Sequence, residues 1–278
     1  MSKNLLLEIG TEEMPANIMS GVVDQLRVLA ENAFGENRIS LKEITVYATP
    51  RRLAVLVKEA ADRQPDEEVK KRGPSIKAAF DEDGNPTRAA QGFARGQHID
   101  PSELIREGEY TWAHVVNEGK KIEDILPSLF TSLITGLNFT RSMRWADEEA
   151  RFIRPIRWIV ALCGSEVVPM EFAHVKSGRI SRGHRFLCKE DVTIESPENY
   201  KETMRKAFVI VDQDERRDMI RKGLLAKAEE LGGNVWHNAD LLEEINYLVE
   251  YPTPLYGRID EEFLSLIHIS EPTRQEAI

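Results

Sequence analysis

Apolar residues follow two different periods along the first sixty residues of the chain. Residues 4–9 form a nearly continuous apolar run, which predicts a buried strand. Beyond Pro15, apolar residues recur at helical spacing and predict a helix that packs one face against the core. Residues 44–48 and 53–57 are rich in β-branched residues and flank a Thr-Pro-Arg turn, so they predict two paired strands. The chain is therefore expected to open with a β-α-β-β order.

The rest of the chain mixes the same two periods. The charged stretch 62–73 predicts an exposed segment. Asp212 with Glu215 resembles a capping box, and Gly232 is expected to end the helix that they begin. Pro127 is expected in the first turn of its helix, where backbone N–H groups lack helical partners. Further strands are predicted at 110–117, 155–163, 166–172, 192–195 and 208–211, and helices at 75–80, 87–95, 122–137, 212–231 and from 240 to before Pro252.

These elements predict an α+β fold, with mixed sheets and packed helices in two modules. A chain of 278 residues is long enough for about two domains. We expect an N-terminal α/β module over residues 1–150 and a second α+β module over residues 151–263.

Composition excludes several classes of protein. The longest apolar runs are far shorter than the roughly 20 residues that span a bilayer, so no membrane association is expected. Two cysteines cannot form a disulfide framework, which favours a reducing cytoplasm. The 37 basic and 47 acidic residues give a net charge of -10, which argues against non-specific binding to nucleic acid over the whole surface. Residues 172–189, which we call the basic island, contain no acidic residue.

Motifs for common catalytic centres are missing from the sequence. There is no P-loop, no dinucleotide-binding glycine motif, no His-Glu-x-x-His and no Gly-x-Ser-x-Gly. The acidic stretch 81–84 resembles a calcium loop, but its glycine is misplaced and the terminal glutamate is absent. We therefore expect no metal site, no cofactor of its own and no self-contained catalytic residues in this chain.

Charged residues cluster at two predicted turns near the start of the chain. Glu8, Glu12 and Glu13 surround a Gly-Thr turn, where they either complement a helix dipole or contact a partner. Arg51 and Arg52 follow Pro50, and adjacent residues of a strand point to opposite faces. One of these arginines is therefore expected to bridge buried carboxylates while the other contacts phosphate.

Arginine and aromatic residues alternate between residues 143 and 158. This segment includes Arg144, Arg154 and Arg157, a combination suited to phosphate contact and base stacking. The alternative is a strand whose arginines pair with the acidic residues 147–149. The sequence leaves both interpretations open.

The basic island supplies the remaining candidate contacts with RNA. Arg179, Arg182 and Arg185 lie close together in sequence, and Gly183 permits a close approach of the backbone to a phosphate. His184 could donate to an oxyanion, although a lone histidine is more often structural. No serine or cysteine partner for catalysis by His184 is readable from the sequence.

Taken together, these segments resemble the beta subunit of the bacterial heterotetrameric glycine-tRNA ligase. The resemblance follows the order and spacing of its motifs from residue 4 to about residue 263. It is carried by residues 6–15, 48–54, 71–74, 143–145, 152–157 and 183–186, and by 242–244 through 249–252.

This resemblance implies a function shared between two subunits. In the family, the alpha subunit activates glycine with ATP and Mg, while the beta subunit binds tRNA(Gly) and is needed for its charging, within a heterotetramer of two alpha and two beta subunits. Part of the beta subunit also looks like the editing module of phenylalanyl-tRNA synthetase beta chains, which is expected within residues 151–263. The chain would then be an N-terminal fragment of a beta subunit, a subunit of an enzyme that is not itself catalytic.

The last residues depart from the family pattern. Residues 265–274 look like the in-frame translation of an adapter used in sequencing libraries. We therefore expect residues 264–278 to be a non-native tail.

The sequence leaves open two functions other than that of a tRNA-binding subunit. One is an editing-like hydrolase, which needs an enclosed pocket with converging donors near His184. The other is a purely structural module that holds subunits together. A flat basic surface would favour RNA binding.

Overall fold

The computed structural model describes residues 2–81, 83–145 and 149–257. Within them the α+β prediction is confirmed. The strands are β1 (Ser2–Thr11), β2 (Glu43–Thr49), β3 (Arg52–Ala61), β4 (Glu67–Ser75), β5 (Ile105–Glu107), β6 (Tyr110–Asn117), β7 (Ile156–Cys163), β8 (Glu166–Val167), β9 (Glu171–Phe172), β10 (Val175–Gly178), β11 (Ile180–Arg182) and β12 (Asp191–Thr193). The helices are α1 (Met19–Glu36), α2 (Ile76–Ala79), α3 (Arg88–Gly96), α4 (Ile122–Gly136), α5 (Tyr200–Lys206), α6 (Gln213–Leu231) and α7 (Ala239–Asn246), with short 3-10 turns at 16–18, 101–103 and 197–199.

A seven-stranded sheet organises most of the chain. Its order is β2-β3-β1-β7-β10-β9, with β8 paired to β7. The pairs β1 with β3 and β1 with β7 are antiparallel, whereas β10 runs parallel to β7. Strand β1 therefore lies in the interior of the sheet, which explains why its sequence is apolar on both faces.

Each face of this sheet has its own core. Because side chains alternate along a strand, Leu5, Leu7 and Ile9 point to one face and pack against α1 and α4. Leu6 points to the other face, into a second core that also contains Tyr200 of α5. Glu8 shares this second face with Leu6, and its side chain is fully buried.

Residues 67–117 form a smaller unit between β3 and α4. Strands β4, β6 and β5 make an antiparallel three-stranded sheet, and α2 and α3 pack on it around a small alanine-rich core. The prediction that residues 62–73 are charged and largely exposed is confirmed, but the sequence did not predict that strand β4 lies within this segment. Its charged side chains face outward while its backbone pairs with β6.

The hydrogen bonds of the large sheet cross the module boundary expected at residue 150. Strand β1 lies before that boundary and β7 after it, yet seven residues of each strand are paired. The expected tail, residues 264–278, lies outside the described residues.

Two local predictions are corrected by the fold. Residues 208–211 are not a strand, because the N–H of Ile210 bonds to the carbonyl of Glu250 and the carbonyl of Ile210 accepts from Arg216. Pro127 lies beyond the first turn of α4, whose first residue is Ile122. Buried residues before and after Pro127 pack in the core and hold the helix together despite its missing N–H donor.

Among the described residues, no helix is both long and apolar enough to cross a membrane.

Candidate functional site

A buried ion-pair network lies on the second face of the large sheet, the face that carries Leu6 and Glu8. The Nη2 of Arg52 lies 3.0 Å from Oε1 of Glu250, and its Nη1 lies 3.9 Å from Oε2 of Glu8. Thr49 Oγ1 accepts from Arg52 Nε at 3.2 Å and donates to Glu250 at 3.0 Å. Burial opposes ionisation of the Glu250 carboxyl, but the positive charges of Arg52 and Arg51 outweigh it, so the pKa of Glu250 lies below its ordinary value.

Glu8 is held by three further donors. Its Oε1 accepts from the indole N–H of Trp158 and from the hydroxyl of Ser181, each at 2.5 Å. Its Oε2 accepts from the Tyr200 hydroxyl at 2.5 Å. Burial, reinforced by the charge of Glu8, raises the pKa of Tyr200 well above its ordinary value, so Tyr200 stays a donor. All of these groups hold the fold.

This network corrects two of the predicted contacts. Glu8 was expected to contact a partner and Arg52 to contact tRNA, but neither side chain has any exposed surface. One of the adjacent arginines was expected to bridge buried carboxylates, and Arg52 does so. The expectation that the two point to opposite faces is wrong, because Arg51 precedes strand β3 and the two guanidinium groups lie 5.7 and 5.6 Å from the centre of the same Trp158 ring. Contact of Arg51 with phosphate remains a prediction. The residue available for a ligand is Arg51.

Arg216 and Gln213 of α6 are buried polar residues that the sequence did not point to. The Arg216 guanidinium donates to the backbone carbonyls of Asn246, Ile210 and Ala48 at 2.8, 2.6 and 2.9 Å. Gln213 donates to the carbonyl of Val46 and accepts from the N–H of Ala48, both at 3.1 Å, so it pairs with edge strand β2 as a neighbouring strand would. Both side chains fix α6 against the sheet. No local signal distinguishes them from the other polar residues of the helix.

A polar cleft of about 330 Å³ opens where β1 ends and β7 begins. Its cationic side chains outnumber its acidic ones by five to three among the lining residues that the structure describes. We call this the arginine cleft. It is lined by Thr11, Glu12, Arg51, Arg157, Trp158, Arg182, Gly183, Arg185, Cys188, Lys189, Glu190 and Asp191.

The inner end of the arginine cleft is formed by Arg51, Thr11 and Trp158. The Trp158 ring packs on Gly10, where an added Cβ would lie 1.9 Å from the ring. The guanidinium carbons of Arg51 and Arg182 lie 5.7 and 5.3 Å from the centre of that ring, within cation–π range. Arg51 is 7% exposed, and burial lowers the pKa of its guanidinium.

Acidic residues neutralise part of the mouth of the arginine cleft. Glu12 lies 3.4 Å from Arg157 and 3.0 Å from Arg185, and Glu13 lies 3.1 Å from Arg185. These side chains are all partly exposed, so the pairs contribute little to stability. Glu12 and Glu13 thus have internal partners, and their contact with another subunit remains a prediction.

The other predicted residues lie outside the arginine cleft. Arg144 is exposed, and Arg154 donates to the backbone carbonyls of Glu13 and Ile153. Arg179 bonds to the carbonyl of Ser165 at 2.9 Å and lies 3.5 Å from Glu195. The alternative interpretation pairs the arginines of this segment with the acidic residues 147–149. Of these, residues 147 and 148 lie outside the described residues.

His184 has a structural role in the turn of the basic island. Its Nδ1 accepts from the backbone N–H groups of Phe186 and Leu187, both at 3.2 Å. Its backbone N–H donates to the carbonyl of Ala207. Among the described residues, no group of three or more His, Cys, Asp or Glu could hold a metal ion.

These features define an α+β protein with a buried ion-pair network and a cationic cleft suited to an anionic ligand. Residues 5–268 match the model of the family described as glycyl-tRNA synthetase beta subunit. The chain therefore belongs to the glycyl-tRNA synthetase beta subunit family.

Curated relatives agree with this assignment. The chain is 47% identical over 276 residues to the glycine–tRNA ligase beta subunit of Desulfitobacterium hafniense, with 98% of the chain and 39% of that protein covered. It is 45% identical over 270 residues to that of Natranaerobius thermophilus, covering 96% and 39%. It is 44% identical over 271 residues to that of Bacillus subtilis, covering 96% and 40%. The chain thus spans about two fifths of the length of these relatives.

Proposed function

We propose that this chain is the N-terminal part of a glycine-tRNA ligase beta subunit that binds tRNA(Gly) in the cytoplasm. It would assemble with the alpha subunit as two alpha and two beta subunits. The complex would join glycine to tRNA with ATP and Mg, which the alpha subunit uses. The observation that carries this proposal is the arginine cleft, whose cationic lining suits the tRNA backbone.

The supporting geometry combines a rigid base with an exposed rim. Strands β1 and β7 fix one wall of the cleft, and Trp158 in that wall donates a hydrogen bond to Glu8 of the buried network. Arg157, Arg182 and Arg185 are exposed around the cleft. Phosphate contacts of this kind supply affinity and orientation without reading the sequence of the RNA.

The experiment combines purified alpha subunit of a relative with this chain, with full-length beta subunit or with neither. Charging of tRNA(Gly) is expected only with full-length beta subunit, and this chain alone should form no glycyl-adenylate. Glycine-dependent ATP–pyrophosphate exchange by the pure chain would contradict the proposal. So would a full-length beta subunit that neither binds tRNA nor supports charging.

One observation favours a second candidate, an editing-like hydrolase. The arginine cleft is a pocket rather than a flat surface, and Cys188 and Asp191 line it. His184 is not among the lining residues, and its Nδ1 accepts two backbone hydrogen bonds. Full-length beta subunit mixed with mischarged tRNA(Gly) tests this candidate. If the full-length beta subunit releases the amino acid and Cys188→Ser does not, the result would support this candidate. No release above the uncatalysed rate would contradict it.

A further inference from the structure

Two buried polar atoms at the inner end of the arginine cleft have no hydrogen-bond partner. They are the Nε of Arg51 and the Oγ1 of Thr11, considering only the residues that the structure describes. Arg51 is 7% exposed and Thr11 is 1% exposed, and both line the cleft. A buried donor without a partner costs free energy, and an anion bound in the cleft would supply the missing acceptor.

The neighbouring Arg52 shows that this feature is specific to Arg51. Arg52 is also buried, but each of its three guanidinium nitrogens has a partner within the chain. Both guanidinium groups lie near the Trp158 ring, Arg51 at 5.7 Å and Arg52 at 5.6 Å from its centre, but only Arg51 lines the cleft. The turn itself is fixed, because the N–H of Thr11 bonds to the carbonyl of Arg51 at 2.8 Å.

The donors around the cleft suit an oxyanion that accepts hydrogen bonds from several of them at once. Arg51 and Thr11 lie at the inner end, whereas Arg182, Arg185 and Lys189 line other parts of the wall. Such a group of donors can satisfy several oxygens at once, and guanidinium groups match phosphate geometry. The volume of about 330 Å³ lies at the lower end of the usual range for small-molecule pockets, which leaves room for more than the phosphate itself.

We propose that the arginine cleft binds one phosphate group of a larger ligand, with Arg51 and Thr11 as interior donors and Arg182 at the mouth. The assignment of that phosphate to tRNA rests on the proposed function. The site itself rests on the unpartnered donors and on the shape of the cleft.

The first experiment uses inorganic phosphate as the probe. The thermal unfolding midpoint of the chain is measured across a phosphate titration, with sodium chloride at matched ionic strength as the reference. Phosphate should raise the midpoint more than chloride does, because a ligand that binds only the folded state stabilises it. Equal effects of the two salts would overturn the proposal.

Two variants and a control locate the effect. Arg51→Met should abolish the phosphate-specific rise, which is measured from the variant's own midpoint without phosphate. That starting midpoint is expected to fall, because Arg51 also helps to hold the pKa of Glu250 below its ordinary value. Arg182→Gln, a substitution at an exposed residue, should require at least ten times more phosphate for the same rise in the unfolding midpoint. Arg88→Met, an exposed arginine on α3, should leave the rise intact. A rise that persists in both Arg51→Met and Arg182→Gln would overturn the proposal.

A second experiment distinguishes the source of the phosphate. If the site takes a tRNA phosphate, inorganic phosphate should compete with tRNA(Gly) for full-length beta subunit, and Arg51→Met should weaken tRNA binding at least tenfold. If a free small molecule is the ligand, phosphate binding stays dependent on Arg51 while tRNA binding is unchanged in Arg51→Met. Both results support the site, and the second would separate it from the proposed function.

Discussion

The guanidinium of Arg52 lies 3.0 Å from the carboxylate of Glu250, although the two residues are 198 positions apart. Both side chains are buried. This contact joins the β2–β3 hairpin to the segment that follows α7. The end of the described chain is therefore part of the same folded unit as its beginning.

Arg52→Met should be strongly destabilising, because it leaves Glu8 and Glu250 buried without their shared cation. Removing one partner of a buried pair typically costs about 3–5 kcal/mol. Urea unfolding of the chain provides the measurement. The matched control is Arg221→Met, an exposed arginine that lies 3.4 Å from Asp218, which should change the free energy of unfolding by less than about 0.5 kcal/mol. Similar losses in both variants would show that the network is not the cause.

Gly10→Ala should destabilise the fold by forcing the Trp158 ring to move. A Cβ at this position would lie 1.9 Å from the ring, and the ring is held by its hydrogen bond to Glu8. Overpacking of this kind costs about 1–3 kcal/mol. The control is Gly21→Ala in α1, where nothing lies within 4 Å of the new methyl group and a gain of about 0.5–1 kcal/mol is expected. Urea unfolding measures both, and a neutral Gly10→Ala would contradict the packing described.

Local signals account for the elements that the sequence predicted correctly. Asp212 accepts from the N–H groups of Asp214 and Glu215, and Gly232 adopts a left-handed φ of 66° at the other end of α6. Caps depend on neighbouring residues alone, so a sequence can reveal them. Strand β4 was missed because its residues are mostly charged and exposed and show no apolar alternation, so only its pairing with β6 makes it a strand.

The candidate site could be predicted only in part. Arg51 stood out beside a proline turn, and Arg182 and Arg185 stood out in the basic island, and the fold brings all three to one cleft. The burial of Glu8 and Arg52 depends on Glu250 and on Ser181 of a distant strand. No local pattern contains that information. Charge and spacing therefore picked out arginines that line the cleft, while long-range pairing decided which arginines are buried.

Stability should fall as the solution is acidified, partly through Glu250. The folded state holds the pKa of this carboxyl below its ordinary value of 4.5, so the unfolded chain binds its proton more readily. The contribution is complete above pH 4.5 and is lost as the pH falls through the lowered value. Urea midpoints measured from pH 7 downward test this. Glu250→Gln should be less stable at pH 7 and should lose less stability on acidification, and a variant with an unchanged pH dependence would contradict the assignment.

The two cysteines should differ sharply in reactivity. Burial raises the pKa of Cys163 to about 11, and its side chain is 2% exposed. Cys188 is half-buried and lines the arginine cleft. Because the thiolate is the reactive form, iodoacetamide at pH 8 should alkylate Cys188 well before Cys163 in the folded chain. Mass spectrometry of the peptides measures the order. Cys188→Ser should remove the fast site, and equal rates in the folded chain would contradict the structure.

Arginines at the mouth of the arginine cleft should control the salt dependence of tRNA binding. If Arg182 and Arg185 neutralise phosphates, each releases condensed counterions, and replacing both by Gln should lower the slope of log K against log salt by between about one and two units. The pairs of Arg185 with Glu12 and Glu13 are partly exposed, so the free energy of unfolding should change by no more than about 1 kcal/mol. Full-length beta subunit is the protein to use, with Arg221→Gln as the exposed control.

A structural role for these arginines predicts the opposite result, because replacing arginines that the fold needs would lower stability and leave the slope unchanged. Measuring both quantities on the same variant separates these roles, and an unchanged slope with a lowered unfolding midpoint would exclude the phosphate contact.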